Sequence, residues 1–287
     1  MTHSLSSRGP EFGEPRQFGE PSQSGEPRPG WPEKAALVEV FHSVQGEGRF
    51  VGEAMVFVRV AVCPIRCSYC DTPHSYIPAN AARIGLGKDS RAEPNPVAAE
   101  RALALVLEVD RASMFGSTPA NEPLRVSVTG GEPLLYPGFV RALGTGLHAR
   151  GGKLHLETAA LDATALTFAL PGVDHLSADW KLPETISGAS YAEQHLGCVA
   201  AAALPGTSID VKLVITPEVT IQSVEAAFAD LKPWRDRILI VVQPASLAGT
   251  VVKAPTASAL AEIVARARAH GFATRMIPQT HKLLGVE

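Results

Sequence analysis

From Leu124 onward the chain alternates short apolar runs with longer amphipathic stretches, and this alternation constrains the fold more than any other feature. Strand-like segments fall at Leu124 to Val128, Lys153 to Glu157, His175 to Trp180, Ser208 to Ile215, Ile238 to Val242 and Ala273 to Ile277. Helices are predicted between them: Pro137 to about Arg150, from about Leu161, Tyr191 to Leu204, from Thr216-Pro217, and about Thr256 to His270. Strands separated by helices of this length pair in parallel through right-handed crossovers, so the class is α/β. Two earlier strand-like runs, Ala36 to Phe41 and Ala54 to Val62, precede a polar stretch from Pro73 to Pro94. Asn95-Pro96 then reads as the cap and first turn of a helix to about Ala112. Alternation alone does not separate a partial barrel from an open sheet. In both, ligand groups gather where strand C-termini meet the following loops.

Residues 1–33 differ in texture. FGEPRQ, FGEPSQ and SGEPRP follow one another from Phe12 to Pro29, with proline and glycine in every copy and little to bury. Such a segment cannot offset the entropy of ordering, so the division is a disordered tail over 1–33 and one catalytic domain over 34–287. The 287 residues carry 26 Lys and Arg against 29 Asp and Glu, a formal charge of -3, which argues against a generally basic nucleic-acid binder. No apolar run approaches the roughly 18 residues that span a bilayer, and the polar N-terminus is no secretory signal, so a cytoplasmic location is expected.

Three of the four cysteines stand within eight residues, as Cys63-x3-Cys67-x2-Cys70, in the loop after the second strand. Bunched thiolates suit iron–sulfur clusters or zinc better than a disulfide scaffold. Three ligands on a four-iron cluster leave one iron open for another molecule. A structural zinc site of Cys63, Cys67, Cys70 and His74 is a competing reading, although its ligands are cramped for the usual finger spacings. Cys198 is the remaining thiol. It lies in an alanine-rich helix, where a buried, inert cysteine is the commoner outcome. After a later strand comes Thr129-Gly130-Gly131-Glu132-Pro133, whose glycines let a ligand approach the backbone and whose carboxylate suits an amine.

The cysteine spacing resembles the signature of the radical S-adenosylmethionine (SAM) enzymes, and the Gly-Gly-Glu run resembles the SAM-binding segment of that superfamily. More finely, Ser43-Val44-Gln45-Gly46-Glu47-Gly48, Phe57-Val58-Arg59, Cys70-Asp71-Thr72 and Gln279-Thr280-His281-Lys282 resemble the 7-carboxy-7-deazaguanine synthase family, over about Val38 to Glu287. The resemblance implies a modified, compact partial (β/α) barrel. It implies a lyase that contracts the ring of 6-carboxy-5,6,7,8-tetrahydropterin, with loss of ammonia, in the 7-deazapurine (queuosine-type) pathway. The implied cofactors are one [4Fe–4S] cluster, SAM and Mg2+.

Carried over by residue, it assigns Cys63, Cys67 and Cys70 to the cluster and Thr72 to Mg2+. Tyr69, Cys70, Asp71, Gly131, Glu132, Ser177, Asp179, Lys181, Gln243, Pro244, Ala245 and Ser246 go to SAM, and Lys181 matches the lysine of the family's Ser-Pro-Lys in a different spelling. Val44, Gln45, Gly46, Glu47, Arg59, Thr129, His281 and the terminal carboxylate of Glu287 go to substrate. An amide and a carboxylate can read the edge of a pterin, and a planar guanidinium suits its carboxylate. The family usually places glycine before the first cysteine, where this chain has Val62. The implied partners are a flavodoxin- or ferredoxin-type electron donor and a second copy in a homodimer. A glycyl-radical activase, or a zinc- or cluster-bearing module without catalysis, are the rival readings.

Overall fold

The structure, a computed structural model, describes residues 30–203 and 206–286. Its elements run β1 (Lys34–Ala35), β2 (Leu37–Val44), β3 (Ala54–Val60), β4 (Ala81–Ile84), β5 (Arg91–Pro94), β6 (Val97–Ala98) and α1 (Ala99–Arg111). Next come β7 (Arg125–Gly130), α2 (Pro137–His148), β8 (Lys153–Thr158), α3 (Ala163–Ala169), β9 (His175–Asp179) and α4 (Ala192–Ala202). The chain closes with β10 (Ser208–Ile215), α5 (Ile221–Leu231), β11 (Ile238–Pro244), α6 (Ala257–Ala269), β12 (Ala273–Met276) and α7 (Thr280–Leu284).

Ten strands form one sheet in the order β12-β11-β10-β9-β8-β7-β3-β2-β4-β5. From β3 through β7 to β12 every pairing is parallel, whereas β2 runs antiparallel to β3. The period-2 alternation of a strand sorts its side chains between two buried faces. Val56, Val58 and Val60 of β3, Leu154 and Leu156 of β8, and Val211 and Leu213 of β10 join one core cluster with Leu105, Leu143, Leu166 and Phe228 of the helices. Each such side chain contributes about 1.5–3 kcal/mol when fully buried. The residues between them, among them Arg59, Glu157, Ser177, Asp179, Lys212 and Gln243, face the other way and line one cavity. Eight strands aiming side chains at one cavity must curl around it, while the end strands β12 and β5 do not pair. The fold is therefore a partial barrel, open at one seam.

Local chemistry moves several expected boundaries. The Asn95 side chain accepts from Leu37 N at 2.8 Å and donates to Leu37 O at 2.7 Å, tying the start of β2 instead of capping a helix. Val97 and Ala98 pair with β1, so α1 opens only at Ala99. Likewise α5 begins not at Thr216-Pro217 but at Ile221, where the Thr220 hydroxyl accepts from Ser223 N. The expected polar loop from Pro73 to Pro94 contains the β4–β5 hairpin. The body also starts earlier than residue 34. Trp31 packs edge-on against Phe168 with ring centroids 4.7 Å apart, and Glu33 O accepts from Ala99 N. The hexapeptide repeat and Leu204, the expected end of α4, lie outside the described residues. No helix among the described residues is long and apolar enough to cross a membrane.

Candidate active site

β3 delivers the chain to the cysteine loop through Val62, whose φ of 71° lies in the left-handed region. A β-branched residue is strained there by about 1–2 kcal/mol, and the surroundings hold it. Val62 N donates to Ser75 O at 2.7 Å, and Val62 O accepts from Glu132 N at 2.8 Å. The turn thus manages without glycine by being fastened on both sides. Beyond it Cys63, Cys67 and Cys70 are half-buried free thiols on the wall of a cavity of about 510 Å³. Ser68 fixes the loop's middle, donating from its N–H to Thr185 O and accepting from Thr250 N at 2.8 Å. A Cβ on Gly249 would collide with Ser68 O, so glycine is what lets the β11–α6 loop lie on the cysteine loop. Burial pushes the Cys63 thiol up to about 11 and raises Cys67 as well, with the Lys181 charge pulling the other way in both.

These thiols fit an iron–sulfur cubane better than a single ion. Among the described residues no three His, Cys, Asp or Glu side chains close on a point that one metal ion would occupy. The sulfurs that hold a cubane stand farther apart than those around one ion, and three of them face the same cavity here. Cys198 lies fully buried in the helix-side core, away from the cavity wall. Cys63 and Cys67, whose burial favours the protonated thiol, must release protons when iron binds.

Gly130 and Gly131 owe their identity first to packing. A Cβ on Gly130 would meet the Val60 backbone, and one on Gly131 the Val62 carbonyl. Gly131 nonetheless lines the cavity beside Thr129. Glu132, which the resemblance assigns to SAM, has its carboxylate turned to the protein. It is 2% exposed and accepts from Thr158 Oγ1 at 2.5 Å and from Leu134 N and Ala159 N at 2.8 Å each. Burial raises its pKa against these hydrogen bonds. The carboxylate fastens the β7–α2 loop to the end of β8.

Around the same cavity acids and bases alternate. Lys181 Nζ donates to Tyr69 Oη at 2.9 Å and pairs with Asp179 Oδ2 at 2.6 Å. Lys212 Nζ stands 3.6 Å from that same oxygen and 2.5 Å from Glu47 Oε2. Gln279 Nε2 donates to Glu47 Oε1 at 2.7 Å and reaches Asp71 Oδ2 at 3.3 Å, where Lys282 Nζ arrives at 2.5 Å. Burial alone would lower the Lys181 and Lys212 pKa values, but the neighbouring carboxylates raise both. Asp179 and Asp71 are held below the usual carboxylate range, burial notwithstanding, by those lysines.

Gln45, which the resemblance assigns to substrate, lines the cavity and is also tied to its neighbours. Its Nε2 donates to Glu157 Oε1 at 2.9 Å and lies 3.4 Å from His155 Nδ1, while its Oε1 accepts from Glu47 N at 2.9 Å. With its amide spent on the protein, Gln45 positions the carboxylates of Glu47 and Glu157. Arg59 donates from Nε to Glu39 Oε1 at 2.7 Å, and Arg83 shares that carboxylate. Gly46 makes room for the C-terminal segment: a Cβ would strike the His281 ring, and Thr280 N donates to Gly46 O at 2.9 Å. Val44, Thr72, Ser177, Ala245, Ser246 and His281 also reach the wall; Pro244 does not, and Glu287 lies outside the described residues. Asp179 Oδ1 and Gln243 Oε1 are buried on this wall with no hydrogen-bond partner, acceptors that suit the hydroxyls and amines of SAM.

Glu39, Arg83, Glu157 and Lys212 line the cavity although sequence reasoning passed over them. Their signal was a charge inside, or at the end of, an apolar strand.

The chain is 32% identical to the 7-carboxy-7-deazaguanine synthase of Geobacter sulfurreducens over 256 residues, covering 88% of this chain and 97% of that one. It is 32% identical to the 7-carboxy-7-deazaguanine synthase of Methanopyrus kandleri over 254 residues, 86% and 92% of the two chains. The fold matches the crystal structure of QueE from Escherichia coli with a TM-score of 0.55 at 19% identity, covering 85% and 93%. It also matches a radical SAM methyltransferase from Sphaerobacter thermophilus with a TM-score of 0.56 at 13% identity, covering 84% and 77%. No family model matches.

Proposed function

Since the chain belongs to the 7-carboxy-7-deazaguanine synthase family, we propose that the cavity between the cysteine loop and the β2–β3 loop is where 6-carboxy-5,6,7,8-tetrahydropterin becomes 7-carboxy-7-deazaguanine. The enzyme is a radical SAM lyase: a [4Fe–4S] cluster held by Cys63, Cys67 and Cys70, together with SAM, would supply the radical chemistry through which the substrate contracts its ring and loses ammonia. What carries the reading is that three thiols and several carboxylates line one cavity in a chain with these relatives.

The protein's part is placement. Cys63, Cys67 and Cys70 hold the cluster and leave its fourth iron to SAM. Tyr69, Gly131, Ser177, Asp179, Lys181, Gln243, Ala245 and Ser246 form the SAM wall, with Asp179 Oδ1 and Gln243 Oε1 as its open acceptors. Glu47 and Glu157 accept from the N–H edge of the pterin, and Gln45 keeps both carboxylates aimed. The Arg59 guanidinium, anchored through Nε on Glu39, turns the rest of its fork to the substrate carboxylate, with Thr129 and His281 closing around it. Val286 lines the cavity, which supports a role for the terminal carboxylate of Glu287 beyond it. A Mg2+ ion at Thr72 would keep most of its waters, because Asp71 is shared between Lys282 and Gln279. An external flavodoxin- or ferredoxin-type protein brings the electron, and two copies associate as a homodimer in the cytoplasm.

Anaerobic incubation with SAM, Mg2+, dithionite and the carboxypterin tests this. Mass analysis should find 7-carboxy-7-deazaguanine with one ammonia released, and none with Cys67→Ala. Formation of 5′-deoxyadenosine without that product would leave a radical SAM enzyme of a different substrate.

A further inference from the structure

Lys212 belongs to neither half of the site, and its ammonium stands between them. It projects from β10, is 7% exposed, and touches Glu47 on the substrate side and Asp179 on the SAM side. Both Glu47 oxygens are taken, Oε2 by Lys212 and Oε1 by Gln279. A pterin N–H edge that comes to Glu47 competes with these two donors for the same oxygens and loosens their hold. Lys212 has another partner ready, since Asp179 Oδ2 lies 3.6 Å away. That oxygen already holds Lys181 at 2.6 Å, and the carboxylate's other oxygen has no partner. When two ammoniums bear on Oδ2 the carboxylate is fixed, with Oδ1 as its one unused acceptor.

We infer that Lys212 is a positioning residue that couples the two ligands: carboxypterin bound at Glu47 drives the lysine onto Asp179, and so tightens the binding of SAM. The inference rests on the assignment of the cavity given above. Linkage makes the effect reciprocal, and couplings of this kind commonly amount to about 5- to 150-fold in affinity. It also makes physical sense of burying a lysine on the cavity face of β10, because a buried ammonium is retained only where carboxylates compensate it.

The test is binding, not turnover. Anaerobic equilibrium dialysis of SAM against the cluster-loaded protein, with the cluster oxidised so that SAM is not cleaved, gives its Kd with and without saturating carboxypterin. In the unmodified protein carboxypterin should lower the SAM Kd about fivefold or more. Lys212→Met should abolish this linkage, and Lys212→Arg, which keeps the charge, should restore most of it. Iron content and thermal midpoint identify a variant that has merely failed to fold, in which case Lys212→Gln takes its place. An undiminished linkage in the folded uncharged variant, or no linkage in the unmodified protein, overturns the inference. Unmodified protein that binds neither ligand overturns the assignment of the cavity as well.

Discussion

At the scale of single residues the site separates side chains that face the cavity from side chains that hold others in place. Glu132 is of the second kind. Glu132→Ala strands two buried N–H groups and the Thr158 hydroxyl, each costing about 1–3 kcal/mol. The thermal midpoint should therefore fall by about 4 °C or more, whereas unchanged stability with weakened SAM binding alone would mean that the carboxylate meets the ligand after all. Arg59 is of the first kind. Arg59→Lys keeps the charge and loses the fork, so the KM for carboxypterin should rise about tenfold at constant iron content; an unaltered KM would remove Arg59 from the substrate wall. Two buried histidines set a pH limit. Burial lowers the pKa of His155 and of His195 to about 4, from about 6.5 in the unfolded chain. Below pH 6.5 the unfolded state takes up protons that the folded state refuses, so stability falls by up to about 1.4 kcal/mol per pH unit for each histidine. Thermal midpoints at pH 7 and pH 5 should differ accordingly, and equal midpoints would contradict the burial of these rings.

At the scale of elements, α7 is the piece that joins the two ends of the cavity, through Thr280 on Gly46, Gln279 on Glu47 and Lys282 on Asp71. Gly46→Ala would push the His281 ring away and shift this helix, and misplacements of about 1 Å can cost about 10²-fold in turnover. Steady-state rates with carboxypterin check this; full activity would show that α7 tolerates the shift. The elements legible beforehand were those with a clear apolar period, β2, β3, β7 through β12 and α1 through α6. The hairpin of β4 and β5 was not, because Arg91–Pro94 is a polar edge with no buried face. Asn95-Pro96 and Thr216-Pro217 mimic helix starts, but Asn95 bonds β2 and Thr220 does the capping. Within the site the three cysteines were legible from spacing alone. Lys212 and Glu39 were not, because a charge in a strand also fits a solvated face, and only the curl of the sheet turns these inward.

At the scale of the whole molecule the barrel's seam and the start of the ordered body matter most. Trp31 seals against Phe168, and Trp31 O and Pro32 O lie close over Gly138 of α2. Removing residues 1–29 should leave turnover unaltered, whereas removal through Glu33 strips that contact and should lower the thermal midpoint. Equal midpoints for the two truncations would show that the Trp31 contact adds nothing. The proposed chemistry requires one inorganic core shared by three loop sulfurs. Electron paramagnetic resonance of the dithionite-reduced, reconstituted protein, with iron counted on the same sample, addresses that core most directly. About four irons per chain and a signal that shifts when SAM is added are expected; a single zinc, or an iron signal indifferent to SAM, would contradict it.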